Sequence, residues 1–129
     1  MDTSALPFSK GKSRARLKAR RDRDESAIKR SVRAEVVERD GYCRLADTWT
    51  FGRCGGASEW AHWGQSKRCK TRGLPPEVRH TSFGTLMLCR LHHQGPQGYD
   101  SHGFEIEAMT AHGADGPLRF SRGDVVEIR

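Results

Sequence analysis

The chain has 129 residues with a formal net charge of +7, and only 35% of them are hydrophobic. This length predicts a single domain with a small apolar core. No apolar run approaches membrane-spanning length, and the four cysteines follow a polar, basic beginning, which argues against a membrane protein and against a secreted disulfide protein. We therefore expect a cytoplasmic protein whose cysteines bind metal and whose partner is a polyanion such as nucleic acid.

The first 23 residues form a basic segment. Between residues 10 and 20 a basic side chain falls at every second position: Lys10, Lys12, Arg14, Arg16, Lys18 and Arg20. A two-residue period wound into a helix scatters charge around the whole cylinder, and within residues 10–20 Leu17 is the one large apolar side chain available for burial. Residues 1–23 are therefore predicted to be a disordered arm that contacts DNA phosphates, with a passive solubilising tail as the alternative.

An amphipathic helix is predicted from about residue 25 to residue 39. Asp24 or Ser26 can cap its beginning, and Gly41 can end it. Its apolar positions are spaced by four: Ile28, Val32 and Val36. Residues 24–129 are expected to form one domain on which this stripe packs.

The spacing of cysteine and histidine predicts a metal site. Cys89 and His92 lie in a segment predicted as a helix from about residue 83 to residue 94, where they are one turn apart and can bind the same ion. His93 is rotated by roughly 100° and points elsewhere. Cys43 and Cys54 complete a Cys3His set suited to tetrahedral Zn²⁺. The alternatives are buried free thiols, or Cys69 in place of Cys54 as the ligand.

Three short segments have the alternating pattern of strands. One carries His62 and precedes a polar, basic loop from Gly64 to His80, and the other two lie near the end of the chain. The predicted strands are residues 58–63, 104–108 and 125–128. A strand that carries His62, a loop and a helix that carries His93 together predict a compact site built from two elements.

The residues at three places resemble the HNH endonucleases: Arg39–Arg44, Ala61–His62 and Leu88–His93. The resemblance covers about residues 33–100, and residues 103–129, a predicted strand extension, look like the end of small phage-borne HNH proteins. It implies an α+β fold with a small ββα-metal core built around a structural zinc. It also implies that His62 is the general base and that His93 binds a catalytic divalent metal.

Two positions depart from the family pattern. The family's central asparagine braces the loop between strand and helix and would fall near Gly84, yet the chain contains no asparagine. Hydroxyl side chains nearby are candidates for that role: Thr81, Ser82 and Thr85. The residue before the general base is often a metal-binding aspartate or histidine but is Ala61 here. Glu59 and His80 are the candidates for the missing ligand.

The resemblance and the basic charge together predict a metal-dependent DNA endonuclease that hydrolyses phosphodiester bonds. Neutral His62 would deprotonate water, Mg²⁺, Mn²⁺ or another divalent cation on His93 would stabilise the developing charge, and Arg68 or Arg72 would bind phosphate. The rate should then rise with pH through the imidazole range near about 6.5.

Two rival functions remain at this point. One is an HNH-fold DNA-binding module that does not cleave, which Ala61 and the absent asparagine favour. The other is a zinc-stabilised RNA-binding or adaptor protein. In each case we expect no organic cofactor and no membrane partner, and a phage-borne protein would act in the cytoplasm of its bacterial host.

Overall fold

The computed structural model describes residues 10–129 and gives them a mixed α+β fold. In chain order the described residues form α1 (Lys10–Asp40), β1 (Ser58–His62), α2 (Arg68–Thr71), α3 (Pro76–Arg79), β2 (Thr85–Cys89), α4 (Arg90–Gln94), β3 (Glu105–Ala108), β4 (Leu118–Arg122) and β5 (Val125–Ile128). None of the helices in this range combines the length and apolar character that a membrane span requires.

The second half of α1 packs on the domain through the predicted stripe. Val36 is fully buried, and Ile28 and Val32 on the same stripe are half-buried. The helix ends at Asp40, and Gly41 follows with a φ of 71°, a left-handed conformation that glycine adopts without strain. The predicted end of the helix is therefore confirmed.

The first half of α1 differs from the predicted disordered arm. Residues 10–23 are helical, and α1 runs through the predicted boundary between residues 23 and 24, while residues 1–9 lie outside the described residues. Alanine, leucine, lysine and arginine favour helix, and extending an anchored helix requires no new nucleation. Side chains 13–24 are all exposed, as expected of a stretch without an apolar face.

A two-stranded antiparallel hairpin with a helix against it forms the middle of the fold. β1 pairs with β2, so that Ser58 lies opposite Cys89 and His62 opposite Thr85. The helix predicted over residues 83–94 is wrong for residues 85–89, which form β2 and are all buried. A short, fully buried apolar run does not distinguish strand from helix in a sequence. The helix proper, α4, starts directly after β2 and packs on both strands.

The C-terminal extension forms a three-stranded antiparallel sheet in the order β3–β4–β5. The predicted strands near residues 104–108 and 125–128 are confirmed as β3 and β5, whereas β4 was missed. Its alternation is present in the sequence, since Leu118 and Phe120 are buried and Arg119 between them is not. The adjacent arginine and serine residues obscured this pattern.

Phe104 is at the centre of the apolar core. Its ring centroid lies 5.3 Å from that of Phe51, 5.9 Å from Tyr99 and 5.9 Å from Phe120. The core therefore joins the loop after α1, the segment after α4 and the C-terminal sheet.

A buried carboxylate, Asp40, joins α1 to the hairpin. Its side chain is only 1% exposed and accepts hydrogen bonds from Arg39 Nε (2.7 Å), Arg44 Nη1 (3.0 Å) and the backbone N–H of Met87 in β2 (3.0 Å). The two guanidinium groups then donate to backbone oxygens in distant segments: Ser82, Thr85, Ala114, Gly116 and Arg129. Asp40 thus orients two arginines that connect four parts of the chain.

Substitution of Asp40→Ala is expected to lower the free energy of unfolding by about 3–5 kcal/mol, because it removes the buried carboxylate that two partly buried guanidinium groups share. Arg39 keeps Asp115 as a partner at 2.8 Å, but Arg44 loses its ion pair. The matched control is Asp22→Ala on the same helix. Asp22 pairs with Lys18 at the exposed surface, so its loss should cost less than about 1 kcal/mol. Urea unfolding of the two variants measures the difference, and equal losses would contradict the role given to Asp40.

Candidate metal centre and histidine site

Four side chains from four segments converge on one point beside α4. The Sγ atoms of Cys43, Cys54 and Cys89 lie 3.5, 3.7 and 3.2 Å from Nδ1 of His92, and the four ligand atoms are within 4.8 Å of one another. Tetrahedral zinc with bonds of roughly 2.3 Å to sulfur and 2.0–2.1 Å to nitrogen places these atoms about 3.5 Å apart. The predicted Cys3His set is therefore compatible with a structural metal site.

The imidazole of His92 is oriented for coordination through Nδ1. Its Nε2 lies 3.2 Å from the backbone oxygens of both Phe51 and Gly52, which can only accept a hydrogen bond. Nε2 must therefore carry the proton, and the lone pair of Nδ1 points at the three sulfur atoms. Such an outer hydrogen bond fixes the tautomer of metal-binding histidines in general.

Local structure explains how these ligands meet. Cys43 lies in the turn after α1, Cys54 in the glycine-rich loop, and Cys89 at the last position of β2, where its Sγ accepts the N–H of His92. Cys89 and His92 converge across a strand end and a helix start, not on one helix as predicted. Cys69 lies in α2, and its side chain is outside the described residues.

Burial makes the thiols of Cys43 and Cys54 poor at ionising without a cation. It raises the pKa of Cys43 and Cys54, and nearby sulfur atoms add to the effect. A bound divalent cation offsets this by stabilising the thiolates directly, so that metal binding releases protons. The ligand set should consequently lose metal as the pH falls.

We expect purified protein to hold about one zinc ion per chain and to unfold when a strong chelator removes it, because the small apolar core leaves the loop and α4 dependent on the metal. Cys43→Ser and Cys89→Ser should lose the zinc, while Cys69→Ser keeps it. Elemental analysis and thermal melts provide the measurement. Wild-type protein refolded with excess zinc that retains less than about a third of an equivalent would refute the site.

A second cluster surrounds His62 at the end of β1. Its Nε2 lies 3.0 Å from Nδ1 of His80, and Nε2 of His80 lies 2.9 Å from Oε1 of Glu25 on α1. The Trp60 ring packs against both imidazoles, with centroids 4.9 and 5.6 Å away. These residues line a cleft of about 500 Å³ together with Lys29, Thr71 and Arg79.

The environment of His62 favours the neutral ring. Burial, followed by the positive charges of His80 and Arg79, lowers the pKa of His62 to about 4. The ring is therefore neutral above about pH 5. From the sequence alone, the ring was expected to become neutral only as the pH rises through about 6.5. A rate that depends on neutral His62 should accordingly be flat through neutral pH.

A third cluster surrounds His93 on α4. Nδ1 of His93 lies 2.9 Å from Oε1 of Glu59, and its Nε2 lies 3.1 Å from Oδ2 of Asp100. Adjacent octahedral ligand atoms at about 2.1 Å from a cation are also about 3 Å apart, so either pair fits a divalent ion. The same contacts fit ordinary histidine–carboxylate hydrogen bonds.

The hairpin separates the two histidine clusters. Neighbouring residues of a strand point to opposite faces, and Glu59 contacts α4 whereas Trp60 packs on the His62 side. His80 therefore lies with His62 and Glu25, and Glu59 lies with His93. The clusters still approach each other at the end of β1, where the charge on His93 contributes to the lowered pKa of His62.

The loop before β2 is braced by the three predicted hydroxyl side chains. Thr81 Oγ1 accepts the backbone N–H of Gly84 (3.1 Å), and Thr85 Oγ1 donates to the backbone oxygen of Thr81 (2.7 Å). Ser82 Oγ donates to Asp115 (2.7 Å). Ala61, by contrast, is 1% exposed in the core and offers no ligand atom.

The residues predicted to contact DNA lie along α1 and beside α2. Arg14, Arg16, Lys18 and Arg20 are exposed on the first half of α1, and Arg72 is exposed after α2. The side chains of Lys10, Lys12 and Arg68 lie outside the described residues. Lys18 pairs with Asp22 at 3.0 Å.

Sequence reasoning missed two residues of these clusters, Glu25 and Asp100. Glu25 precedes its partner His80 by 55 residues, and no spacing rule connects a helix position to a loop so far away. Asp100 follows His93 by seven residues in a glycine-containing turn, a carboxylate close to a predicted ligand, which was a usable signal.

Comparison of the chain with protein-family models, with curated proteins and with solved structures found no match.

Proposed function

We propose that this protein is a metal-dependent DNA endonuclease of the HNH type. The observation that carries the proposal is the order of β1, β2 and α4, with His62 at the end of the first strand and His93 on the helix, directly after the Cys3His cluster. Hydrolysis of a phosphodiester requires a base for the attacking water and positive charge near the phosphate. The two histidine clusters supply candidates for each requirement.

The Cys3His cluster is assigned to structural zinc. Three sulfur ligands and one imidazole suit zinc better than Mg²⁺ or Ca²⁺, which take oxygen ligands. All four positions of the ion are filled by protein, so it would have no open position for a substrate. Its role is to hold the loop of Cys43 and Cys54 against α4, which places His93.

His62 is assigned as the general base. It lines an open cleft, and its lowered pKa keeps the ring ready to accept a proton at neutral pH. His93, with Glu59 or Asp100, would hold a divalent cation such as Mg²⁺ or Mn²⁺. When bound, that cation supplies positive charge to the phosphate and to the leaving oxygen.

The positive surface is assigned to DNA. Lys29 and Arg79 line the cleft at His62, and the basic residues of α1 extend away from it on one continuous helix. Phosphate contacts of this kind position a duplex without reading its sequence. The proposal therefore assigns affinity to α1 and chemistry to the hairpin and α4.

The mechanism is tested by nicking of supercoiled plasmid with Mg²⁺ or Mn²⁺. His62→Ala should lose about 10²–10⁴-fold in rate with DNA affinity and zinc content unchanged, because only the base is removed. His93→Ala should lose both cleavage and binding of the second metal. His112→Ala, a substitution in an exposed turn, is the matched control and should nick like wild type.

The pH profile belongs to the same test. Because the pKa of His62 is about 4, the ring gains its proton only as the pH falls toward that value, and the rate should be flat above about pH 6. Nicking by His62→Ala at the wild-type rate, or no metal-dependent nicking of any DNA by wild type, would refute the endonuclease proposal.

The role of α1 is tested by the salt dependence of DNA binding. Substituting glutamine for Arg14, Arg16, Lys18 and Arg20 keeps a helix former at each position but removes four charges. The slope of log affinity against log salt should become shallower by up to about 3–4 units, given roughly 0.9 per phosphate contact. Arg119→Gln, on the C-terminal sheet, should leave the slope unchanged. An unchanged slope in the quadruple variant would make this half of α1 a passive tail.

One observation favours a second candidate, a DNA-binding module of the same fold that does not cleave. Ala61 offers no metal ligand, and both ring nitrogens of His93 already contact carboxylates. In that case DNA affinity with the salt dependence described above would be found without nicking.

A further inference from the structure

Glu25, His80 and His62 form a continuous hydrogen-bonded line from α1 to the end of β1. The two contacts measure 2.9 Å and 3.0 Å, and His80 is buried with its side chain only 3% exposed. Each ring nitrogen of His80 therefore has one partner, Glu25 on one side and His62 on the other. The line uses no residue of the zinc cluster or of the His93 cluster.

Glu25, the first residue of this line, fixes the order of hydrogen-bond donors and acceptors along it. Contact with His80, Lys29 and Arg79 lowers the pKa of Glu25, so its side chain is a carboxylate that can only accept. Nε2 of His80 must then donate. A neutral imidazole has one N–H and one lone pair, so in the neutral ring Nδ1 of His80 holds the lone pair. Nε2 of His62 must donate to that lone pair.

We propose that Glu25 and His80 are positioning residues that hold His62 as the Nε2–H tautomer, so that its Nδ1 is the nitrogen that takes the proton from water. This inference rests on the proposed endonuclease function for its catalytic part. The tautomer itself is a property of the free protein and can be measured without any substrate.

The surroundings of the line restrict rotation of both rings. The ring of Trp60 packs at a tilt against His62 and His80, and the two imidazoles meet edge to face at 72°. Glu25 is in turn held by Arg79 Nη1 (3.4 Å) and by Lys29 one turn along the helix (3.8 Å). A carboxylate that orients an imidazole in this way sets which nitrogen is available for chemistry.

The first experiment is a long-range ¹H–¹⁵N correlation spectrum of histidine-labelled, zinc-loaded full-length protein at pH 8. His62, assigned by its loss in His62→Ala, should show protonated Nε2 and unprotonated Nδ1. His80→Phe keeps an aromatic ring but removes the acceptor, and His62 should then exchange between tautomers. His80→Asn places an amide oxygen near the position of Nδ1 and should restore the single tautomer.

The second experiment measures single-turnover nicking by the same variants. His80→Phe and Glu25→Leu should lower the rate constant about 10- to 100-fold with unchanged DNA affinity and zinc content, the loss typical of partners that orient a functional histidine. His80→Asn should recover most of the rate. Glu35→Gln, an exposed glutamate on the same helix, is the matched control and should match wild type.

The outcomes separate this inference from the proposed function. The inference is overturned if His62 of the wild-type protein is the Nδ1–H tautomer or a mixture of tautomers. It is also overturned if His80→Phe nicks at an unchanged rate. In both cases the endonuclease proposal stands if His62→Ala is inactive. A single Nε2–H tautomer that His80→Phe abolishes supports the positioning line, even in a protein that nicks no DNA, and the endonuclease proposal alone then fails.

Discussion

The ion pairs of Asp40 with Arg39 and Arg44 set the position of α1, and much of the molecule depends on that position. A carboxylate that is 1% exposed is stable only if it is fully paired, and here it has two guanidinium partners and a backbone N–H of β2. Because the last residue of α1 is fixed to the central hairpin, the rest of this rigid helix has a defined direction. Glu25, about four turns earlier, reaches His80 for that reason.

The Cys3His cluster is a second point of connection in a domain whose apolar core is small for its length. Apolar packing around Phe104 connects the C-terminal sheet to the rest, and the loop that carries Cys43 and Cys54 contributes two large buried apolar side chains, Leu45 and Phe51, to this core. Four ligand atoms within 4.8 Å of one another would join this loop to β2 and α4 once a metal is bound. The ion pairs of Asp40 thus reach the hairpin at Met87, in the middle of β2, and the ligand cluster reaches it at Cys89, where β2 ends.

The sequence predicted the set of candidate metal ligands better than it predicted the secondary structure that carries them. The predicted ligand set comes together in the structure: Cys43, Cys54, Cys89 and His92. Cys89 lies on a strand and not on the predicted helix. The set could still be predicted because ligand type and spacing limit the possible ligand sets more tightly than the hydrophobic pattern limits the fold. The pattern of residues 85–89 suits a buried strand as well as a helix, and neighbouring strands decide between them. The line from Glu25 to His62 depends on tertiary packing over 55 residues and could not be inferred from one sequence.

The continuous helix α1 also acts as a spacer of fixed length. Its exposed stretch from residue 13 to residue 24 extends about 18 Å beyond Glu25 at 1.5 Å per residue, and its basic side chains are spread around most of the helix circumference. Any anionic surface bound there is held at a set distance from His62, whichever side of the helix it approaches. Rotating this stretch about its own axis would change little, whereas shortening it by one turn would bring that surface about 5 Å closer to the hairpin.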